Sequence, residues 1–474
     1  MTDKPPRATA VEIVRRLQAA GFSAFWVGGC VRDFLLGREP QDYDIATSAR
    51  PEQVEKLFKH TIAVGRKFGV MVVVENGRQF QVATYRAEAD YRDGRHPEQV
   101  TFGDAEADAQ RRDFTVNGLF YDPITEKLHD WVGGEKDLRA KIIRTIGVPE
   151  GRFAEDHLRL LRTVRFAAQL GFAIEPQTLA AVRKLAPKIE LISAERIRDE
   201  LIKLFSPPGW SSSFSLSGNT LKHELQPHAA RGLVLLLKSG LLPGVLPELI
   251  TTVACEQSPD FHPEGTVFEH IRLMLEKMAT VPPSPQSGFG AASAHPSLPW
   301  AVILHDIAKP ATAELDPATG KIHFYGHEKV GAALAERILT RLRFPKKQIG
   351  EIVACVRQHM QFKDVKQMRK ATLRRLLMRK TFPLELELHR LDCLGSHGDL
   401  EHYEFLIGQA AELEKQPAIR PPLLTGRDLI ALGMKPGPAL GALLAEIREK
   451  QLQDELKTPR QARAWAKKRL LTHG

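Results

Sequence analysis

Cysteine is scarce in this chain. Its 474 residues include four, Cys30, Cys255, Cys355 and Cys393. They lie far apart and form no CxxC pair, which argues against a disulfide framework and a zinc knuckle and for reduced thiols in a cytoplasmic setting. No apolar run approaches the length of a bilayer span, so no membrane partner is expected. The first residues, MTDKPPRATA, lack the apolar segment of a secretory signal. Charge balance is missing too. A net charge of +10 and a pI of about 9.3 direct the reading toward a polyanionic partner, with nucleic acid as the default.

What is present is the composition of an ordinary globular protein, 43% hydrophobic and 26% charged. The length predicts three or four structural units. Over residues 1–150 helix and strand signals mix. Ala8–Leu17 reads as an amphipathic helix, Ser23–Val27 as a strand ending in Gly28-Gly29, Val31–Leu36 as a helix and Asp42–Thr47 as a second strand. Gly69–Glu75 and Phe80–Tyr85 read as a β-hairpin turned at Asn76-Gly77. Beyond about residue 151 strand patterns stop, and Ala154–Leu170 and Ala194–Phe205 have helical periodicity. The Ser/Gly/Pro-rich stretch around 206–220 reads as a linker, and 281–299 (VPPSPQSGFGAASAHPSLP) as a mobile low-complexity insert. PLLTG (422–426) opens a last helical segment with a basic end.

Three motifs in the first part carry chemistry when taken together. Gly28-Gly29-Cys30-Val31-Arg32-Asp33 lies on a strand-to-helix turn, where two glycines let the backbone approach a phosphate, free N–H groups point outward and Arg32 offers a guanidinium fork. Asp42-Tyr43-Asp44 puts two carboxylates on one strand face, the arrangement that holds divalent cations for nucleotidyl transfer. In Arg111-Arg112-Asp113-Phe114-Thr115-Val116-Asn117, paired arginines suit a triphosphate. Each alone has an ordinary structural explanation: a packing turn, a solvated acidic loop, a surface ion pair.

GGCVRD, DYD, RRDFTVN and then EDHLRLLRTVRF, in this order and spacing, resemble the bacterial-type (class II) CCA-adding tRNA nucleotidyltransferase and poly(A) polymerase family, with an HD domain. The resemblance is strong over about the first 205 residues and looser beyond. It implies an α+β fold, with a polymerase-β-like nucleotidyltransferase head carrying a small mixed sheet, followed by an all-helical neck, HD-type body and tail. The implied divisions are a head at 1–150, a base-selecting, RNA-binding neck at 151–206, a linker at 207–224, an HD-type body at 225–415 and a basic helical tail at 416–474.

The resemblance places the catalytic magnesium ions (Mg2+) on Asp42 and Asp44, and the nucleotide on Gly28, Gly29, Arg32, Arg112 and Asn117. On the neck helix it makes Asp156, Arg159, Arg162 and Arg165 the protein template that selects CTP and ATP. Arg196 and Arg198 (ERIRDEL) match the last neck motif in a supporting role. One departure stands out. The family usually opens the strand after the hairpin with a glutamate; this chain has Gln81 in Gln81-Val82-Ala83-Thr84-Tyr85-Arg86, which supplies no third charge. Glu75, one strand earlier, is a candidate substitute.

In the body, His270, His305-Asp306, His327, His359 and Asp392 recur with the spacing of HD-type phosphohydrolases. Such nitrogen and oxygen ligands suit magnesium or a second divalent transition metal. Two basic stretches fit an RNA partner through phosphate neutralisation. Lys363–Lys380 has eight Lys or Arg against one acid, and the last 25 residues have seven against two. The function expected is template-independent addition of C, C and A to the 3′ end of tRNA from CTP and ATP. The alternatives are a poly(A) polymerase or A-adding enzyme, and an HD-type phosphohydrolase acting on RNA ends.

Overall fold

The structure, a computed structural model, describes residues 5–40, 42–87, 101–206, 228–281, 290–415 and 422–471. The chain divides into two compact units: Met1–Thr251 with Thr340–Phe344, and Thr252–Leu339 with Pro345–Gly474.

The first unit is built on strands β1 (Ala24–Val27), β2 (Ile45–Thr47), β3 (Thr61–Gly65), β4 (Val70–Glu75), β5 (Arg78–Thr84), β6 (Phe120–Asp122) and β7 (Lys127–His129). They form one mixed sheet in the order β3-β4-β5-β2-β1-β6-β7. Only the β2–β5 pairing is parallel within it. The β4–β5 hairpin turns at Asn76 and Gly77, both with positive φ, the signature of a tight primed turn whose twist matches the strands. Alternation along β1 sorts side chains between the faces. Ala24 and Trp26 enter the main core with the stripe Ala10, Ile13, Val14 and Leu17 of α1 (Pro6–Ala19), while Phe25 and Val27 join Tyr85, Ala109 and Phe120 on the other face.

Around the sheet lie α2 (Gly29–Leu35), α3 (Pro51–Leu57), α4 (Ala105–Gln110) and α5 (Gly134–Ala140). The helix expected over Ala154–Leu170 is two, α6 (Pro149–Glu155) and α7 (Leu158–Leu170). Asp156 breaks it with extended φ and ψ of −154° and 104°. Strand structure also continues past residue 151: Ala173–Ile174 (β9) pairs in parallel with Ile142–Ile143 (β8). The unit is completed by α8 (Pro176–Leu185), α9 (Ala194–Phe205), α10 (His228–Lys238) and α11 (Leu242–Val245). The linker reading at 207–224 lies outside the described residues.

The second unit is helical apart from the hairpin β10 (Ala313–Leu315) and β11 (Ile322–Phe324). Its helices are α12 (Val267–Thr280), α13 (Gly290–Ser293), α14 (Leu298–Leu304), α15 (His327–Arg341), α16 (Lys346–Gln358), α17 (Lys370–Leu377), α18 (Phe382–Gly395), α19 (Glu401–Lys415), α20 (Gly426–Ala431), α21 (Pro438–Leu452) and α22 (Pro459–Leu471). The expectation of a mobile insert over all of 281–299 is corrected. Residues 282–289 lie outside the described residues, but 290–293 are helical and Leu298 and Pro299, both buried, open α14. Apolar burial and a proline at N1/N2 outweigh the Ser/Gly-rich composition there. Among the described residues no helix is long and apolar enough to cross a membrane.

Candidate functional site

In the first unit the acidic pair and the glycine turn are brought together by strand pairing. Trp26 lies opposite Ile45 in the antiparallel β1–β2 pair, and the next step is a bond from the Val27 N–H to the Asp44 carbonyl at 3.0 Å. Asp44 therefore sits beside the strand end that runs into Gly28. Asp42 and Asp44 precede β2 rather than lying within it. Their alternation survives: both are exposed, and Tyr43 between them is buried against Trp26, ring centroids 4.7 Å apart. Among the described residues no basic side chain comes within ion-pair distance of either carboxylate. The surrounding protein raises the Asp44 carboxyl above its ordinary pKa, Arg112 opposes that shift, and Asp42 adds to it as a like charge. Two exposed, mutually repelling carboxylates without a protein counter-ion fit divalent cations.

Continuing the parallel β2–β5 register, Ile45 to Val82, by one residue sets Gln81 beside Asp44. Gln81 is exposed and has the strand parity of Ala83, on the face of Asp44. Glu75 does not substitute for it. It closes the far end of the hairpin opposite Arg78 and pairs with Arg16 at 3.4 Å.

Gly28 has φ +74°, and a Cβ there would lie 3.0 Å from Nη1 of Arg112. Glycine is thus required both by backbone conformation and by the close approach of a guanidinium. Arg112 is held by Asp108, which also takes Arg111, at 3.0 and 2.5 Å, and packs 5.0 Å over the Phe120 ring. Asp108 escaped the sequence reading, although its i, i+4 spacing to Arg112 was visible. Arg32 is buried and its fork is already used: Nε and Nη2 reach Asp33 Oδ1 at 2.8 Å and Nη1 donates to Asn117 Oδ1 at 2.8 Å. Asn117 in turn donates to Asp113 at 3.2 Å, and Asp113 accepts from Arg162 of α7. Arg32, Arg162 and Arg165 surround the Phe166 ring, 5.4, 5.3 and 4.0 Å from its centroid. A relay of hydrogen bonds therefore joins the glycine turn to α7 and leaves a concentration of guanidinium charge. Burial raises the Asp113 carboxyl, but Arg162, the Asn117 hydrogen bond and Arg159 together hold it below its usual range.

Asp156 and Arg159 are not partners. Asp156 caps the start of α7 through the Leu158 N–H and pairs with Arg196 of α9 at 2.7 Å. Arg159 pairs with Glu155 and donates to the Arg152 carbonyl at 2.8 Å. The cause is the break between α6 and α7, which takes Asp156 out of the helical face. Arg165 pairs with the buried Glu200 of α9 at 2.6 Å, a partner the sequence reading did not find. Arg198 pairs with Asp199.

The second unit gathers all six expected body residues. His270, His305 and Asp392 form one cluster and Asp306, His327 and His359 another. His270 Nε2 lies 3.0 Å from Asp392, His305 Nε2 3.0 Å from Asp306, His327 Nε2 3.3 Å from Asp306 and His359 Nε2 3.6 Å from it. The Nδ1 atoms of His305, His327 and His359 lie 2.9, 2.7 and 2.7 Å from the carbonyls of Val302, Phe324 and Val356. Donation there orients each ring and turns Nε2 inward, the outer-shell arrangement of metal-ligating histidines. Burial opposes charge on His270, yet its bonds to Asp392 and Glu264 raise it to about 9, and Glu264 falls to about 2. Lys309, missed in the sequence although it follows Asp306 by one turn, places Nζ 2.7 Å from Asp306.

The basic stretch 363–380 is less free than its composition implies. Lys366, Lys370, Arg374, Arg375 and Arg379 pair with Glu401, Asp454, Asp454, Glu449 and Glu385.

Residues 24–144 match the Poly A polymerase head domain, 171–216 the probable RNA and SrmB-binding site of polymerase A, and 267–394 the HD domain. The chain is 44% identical over 246 residues to the CCA-adding enzyme of Geobacillus stearothermophilus, covering 51% of this chain and 56% of that protein. It is 44% identical over 214 residues to the CCA-adding enzyme of Staphylococcus aureus (strain MRSA252), covering 45% and 53%. The chain thus spans about half the length of the curated relatives it matches. Among solved structures, it is similar to the Bacillus stearothermophilus CCA-adding enzyme in complex with CTP, with a TM-score of 0.70, 28% identity, and 99% and 98% of the two chains covered. The fold is also that of the Thermotoga maritima CCA-adding enzyme complexed with tRNA, TM-score 0.57 and 17% identity, with 99% and 97% covered.

Proposed function

We propose that the chain is a member of the bacterial-type CCA-adding enzyme and poly(A) polymerase family, adding C, C and A to the 3′ end of tRNA from CTP and ATP and releasing pyrophosphate. The observation that carries this is the placement of Asp42 and Asp44 on one exposed face, beside the Gly28 turn and Arg112.

In this reading Asp42 and Asp44 would hold Mg2+, whose charge would neutralise the reacting phosphate and lower the pKa of the attacking hydroxyl. The tRNA 3′ oxygen forms a bond to the α-phosphorus as the α–β bond breaks and pyrophosphate leaves. Gly28 and Gly29 give the triphosphate room at the backbone. Arg112, fixed by Asp108, faces it with positive charge. Asp156, steadied by Arg196, and Arg159 offer an acceptor and a donor to the base edge. Arg162 and Arg165 are positioned by Asp113 and Glu200 to set the distance between α7 and the head. Work in the cytoplasm fits four cysteines that are all free thiols.

A second activity is favoured by the paired clusters in the second unit. His270, His305, Asp306, His327, His359 and Asp392 suit a divalent transition metal or magnesium, and phosphate-ester hydrolysis at RNA ends is the chemistry we assign there.

The test uses full-length protein, Mg2+ and a tRNA transcript lacking CCA. Addition of two C and one A followed by arrest is expected, and Asp42→Ala abolishes it. A long ladder of A on any RNA, or addition that survives Asp42→Ala, would overturn the reading.

A further inference from the structure

Among the described residues only two aromatic side chains are exposed, Phe261 at 64% and Tyr325 at 72%. Both flank the histidine clusters of the second unit. Tyr325 stands two residues before His327, which puts their Cα atoms within about 7 Å. Gly326 between them has φ +73°, so the chain turns sharply from the exposed ring to the buried imidazole. Phe324 holds His327 through its carbonyl and lies 5.5 Å under the Lys309 ammonium. On the other wall, Phe261 adjoins His262, whose ring meets His270 at 4.9 Å and whose Nε2 lies 3.5 Å from Lys309 Nζ. Lys321, on the hairpin that carries Tyr325, pairs with Asp260 at 2.6 Å, which ties the two walls together.

The exposed rings beside a buried polar centre offer planar apolar area that a bound planar group would cover. Tyr325 is also pre-arranged. Its ring is stacked on His323, centroids 5.3 Å apart and planes 16° apart, which fixes one broad planar face. Planar stacking is the sequence-tolerant way to hold an unpaired base. In a nucleotide one sugar separates the base from its phosphate, a span that suits a ring so close along the chain to His327.

We propose that Tyr325, backed by His323, and Phe261 form a base-stacking mouth that receives the terminal, unpaired nucleotide of an RNA while its phosphate ester reaches the histidine–aspartate clusters. This rests on the phosphoester reading of those clusters and adds to it that a nucleobase is part of what is recognised. Tyr325 and Phe261 are specificity residues here, since the ester itself is held elsewhere.

The experiment titrates full-length protein, with Mn2+, against 2-aminopurine riboside 3′-monophosphate, whose fluorescence is quenched by stacking, and separately against inorganic phosphate. Tyr325→Ala and Phe261→Ala are expected each to weaken nucleotide binding about tenfold and to reduce quenching while leaving phosphate binding unchanged. Tyr325→Trp, which retains a stacking ring, restores both. Equal nucleotide affinity in wild type and both alanine variants, with phosphate still bound, overturns the mouth and leaves the phosphoester reading intact. Failure of the wild type to bind phosphate, or binding untouched by Asp306→Ala, overturns the phosphoester reading and the proposal that rests on it. Because Tyr325 and Phe261 are both on the surface, unchanged thermal unfolding is expected for their variants and separates lost recognition from lost fold.

Discussion

Asp113 accepts two N–H bonds from Arg162 on one oxygen, at 2.8 and 2.5 Å, and through Asn117 it is linked to Arg32 at the glycine turn. A second carboxylate, Glu200, accepts one N–H bond from Arg165 at 2.6 Å. Burial works against charge on both acids, but their arginines, together with Asn117 at Asp113 and Lys203 at Glu200, hold both below the ordinary carboxyl range. A depressed folded-state pKa contributes stability that is complete above the unfolded value of about 4 and is lost as pH falls through the lower folded value. Unfolding midpoints in urea are therefore expected to drop as pH is lowered below about 4, and Glu200→Gln is expected to flatten that drop. Arg162→Leu leaves Asp113 buried and unpaired and is expected to cost about 3 kcal/mol, measured at neutral pH.

Gly28→Ala tests the contact between turn and guanidinium. At φ +74° the new side chain is strained by roughly 1–2 kcal/mol, and its Cβ would press on Arg112 at 3.0 Å. Displacing Arg112 is expected to raise KM for both CTP and ATP with a smaller change in kcat. An unchanged KM would mean that Arg112 does not face the nucleotide.

The fold of the first unit was largely legible because its elements are written locally: the α1 stripe at i, i+3, i+4 and i+7, the Asn76-Gly77 turn, and the alternation of Asp42, Tyr43 and Asp44. The six residues of the second unit were legible as a set for a different reason, since His and Asp at recurring helical positions have few structural uses. Pairing across distance was not legible. Nothing in EDHLR marks Asp156 as a helix breaker whose partner, Arg196, lies 40 residues on, and the i, i+3 pattern pointed to Arg159 instead. The basic run at 363–380 misled similarly, because its counter-ions Glu449 and Asp454 come from α21 and the turn after it. Composition counts charges along the chain; tertiary contacts decide which remain available.

In the proposed reading, the Asp156–Arg196 pair separates base selection from catalysis. Arg196→Ala releases Asp156 from its 2.7 Å ion pair but leaves Asp42 and Asp44 untouched. One well-placed polar contact to a base edge is worth about 1–3 kcal/mol of discrimination. The ratio of kcat/KM for CTP over UTP is therefore expected to fall about tenfold in Arg196→Ala, with total incorporation under saturating UTP retained. Equal loss of all incorporation would place Arg196 in folding of the neck rather than in selection.

Gln81 offers the most informative gain of function. It stands beside Asp44 in the β2–β5 register, on an exposed face where two carboxylates already repel each other. A third carboxylate there would raise that repulsion in the metal-free protein and be relieved when cations bind, so its effect should appear in metal affinity before it appears in rate. Gln81→Glu is expected to lower the Mg2+ concentration for half-maximal incorporation by several-fold, with little change in kcat at saturating Mg2+. It should also destabilise the metal-free protein slightly above about pH 5, where the new carboxyl is ionised, an effect that added Mg2+ removes. If half-saturation is unchanged, position 81 lies outside the cation site and the register argument fails. If kcat rises as well, the two native aspartates are insufficient for full activity.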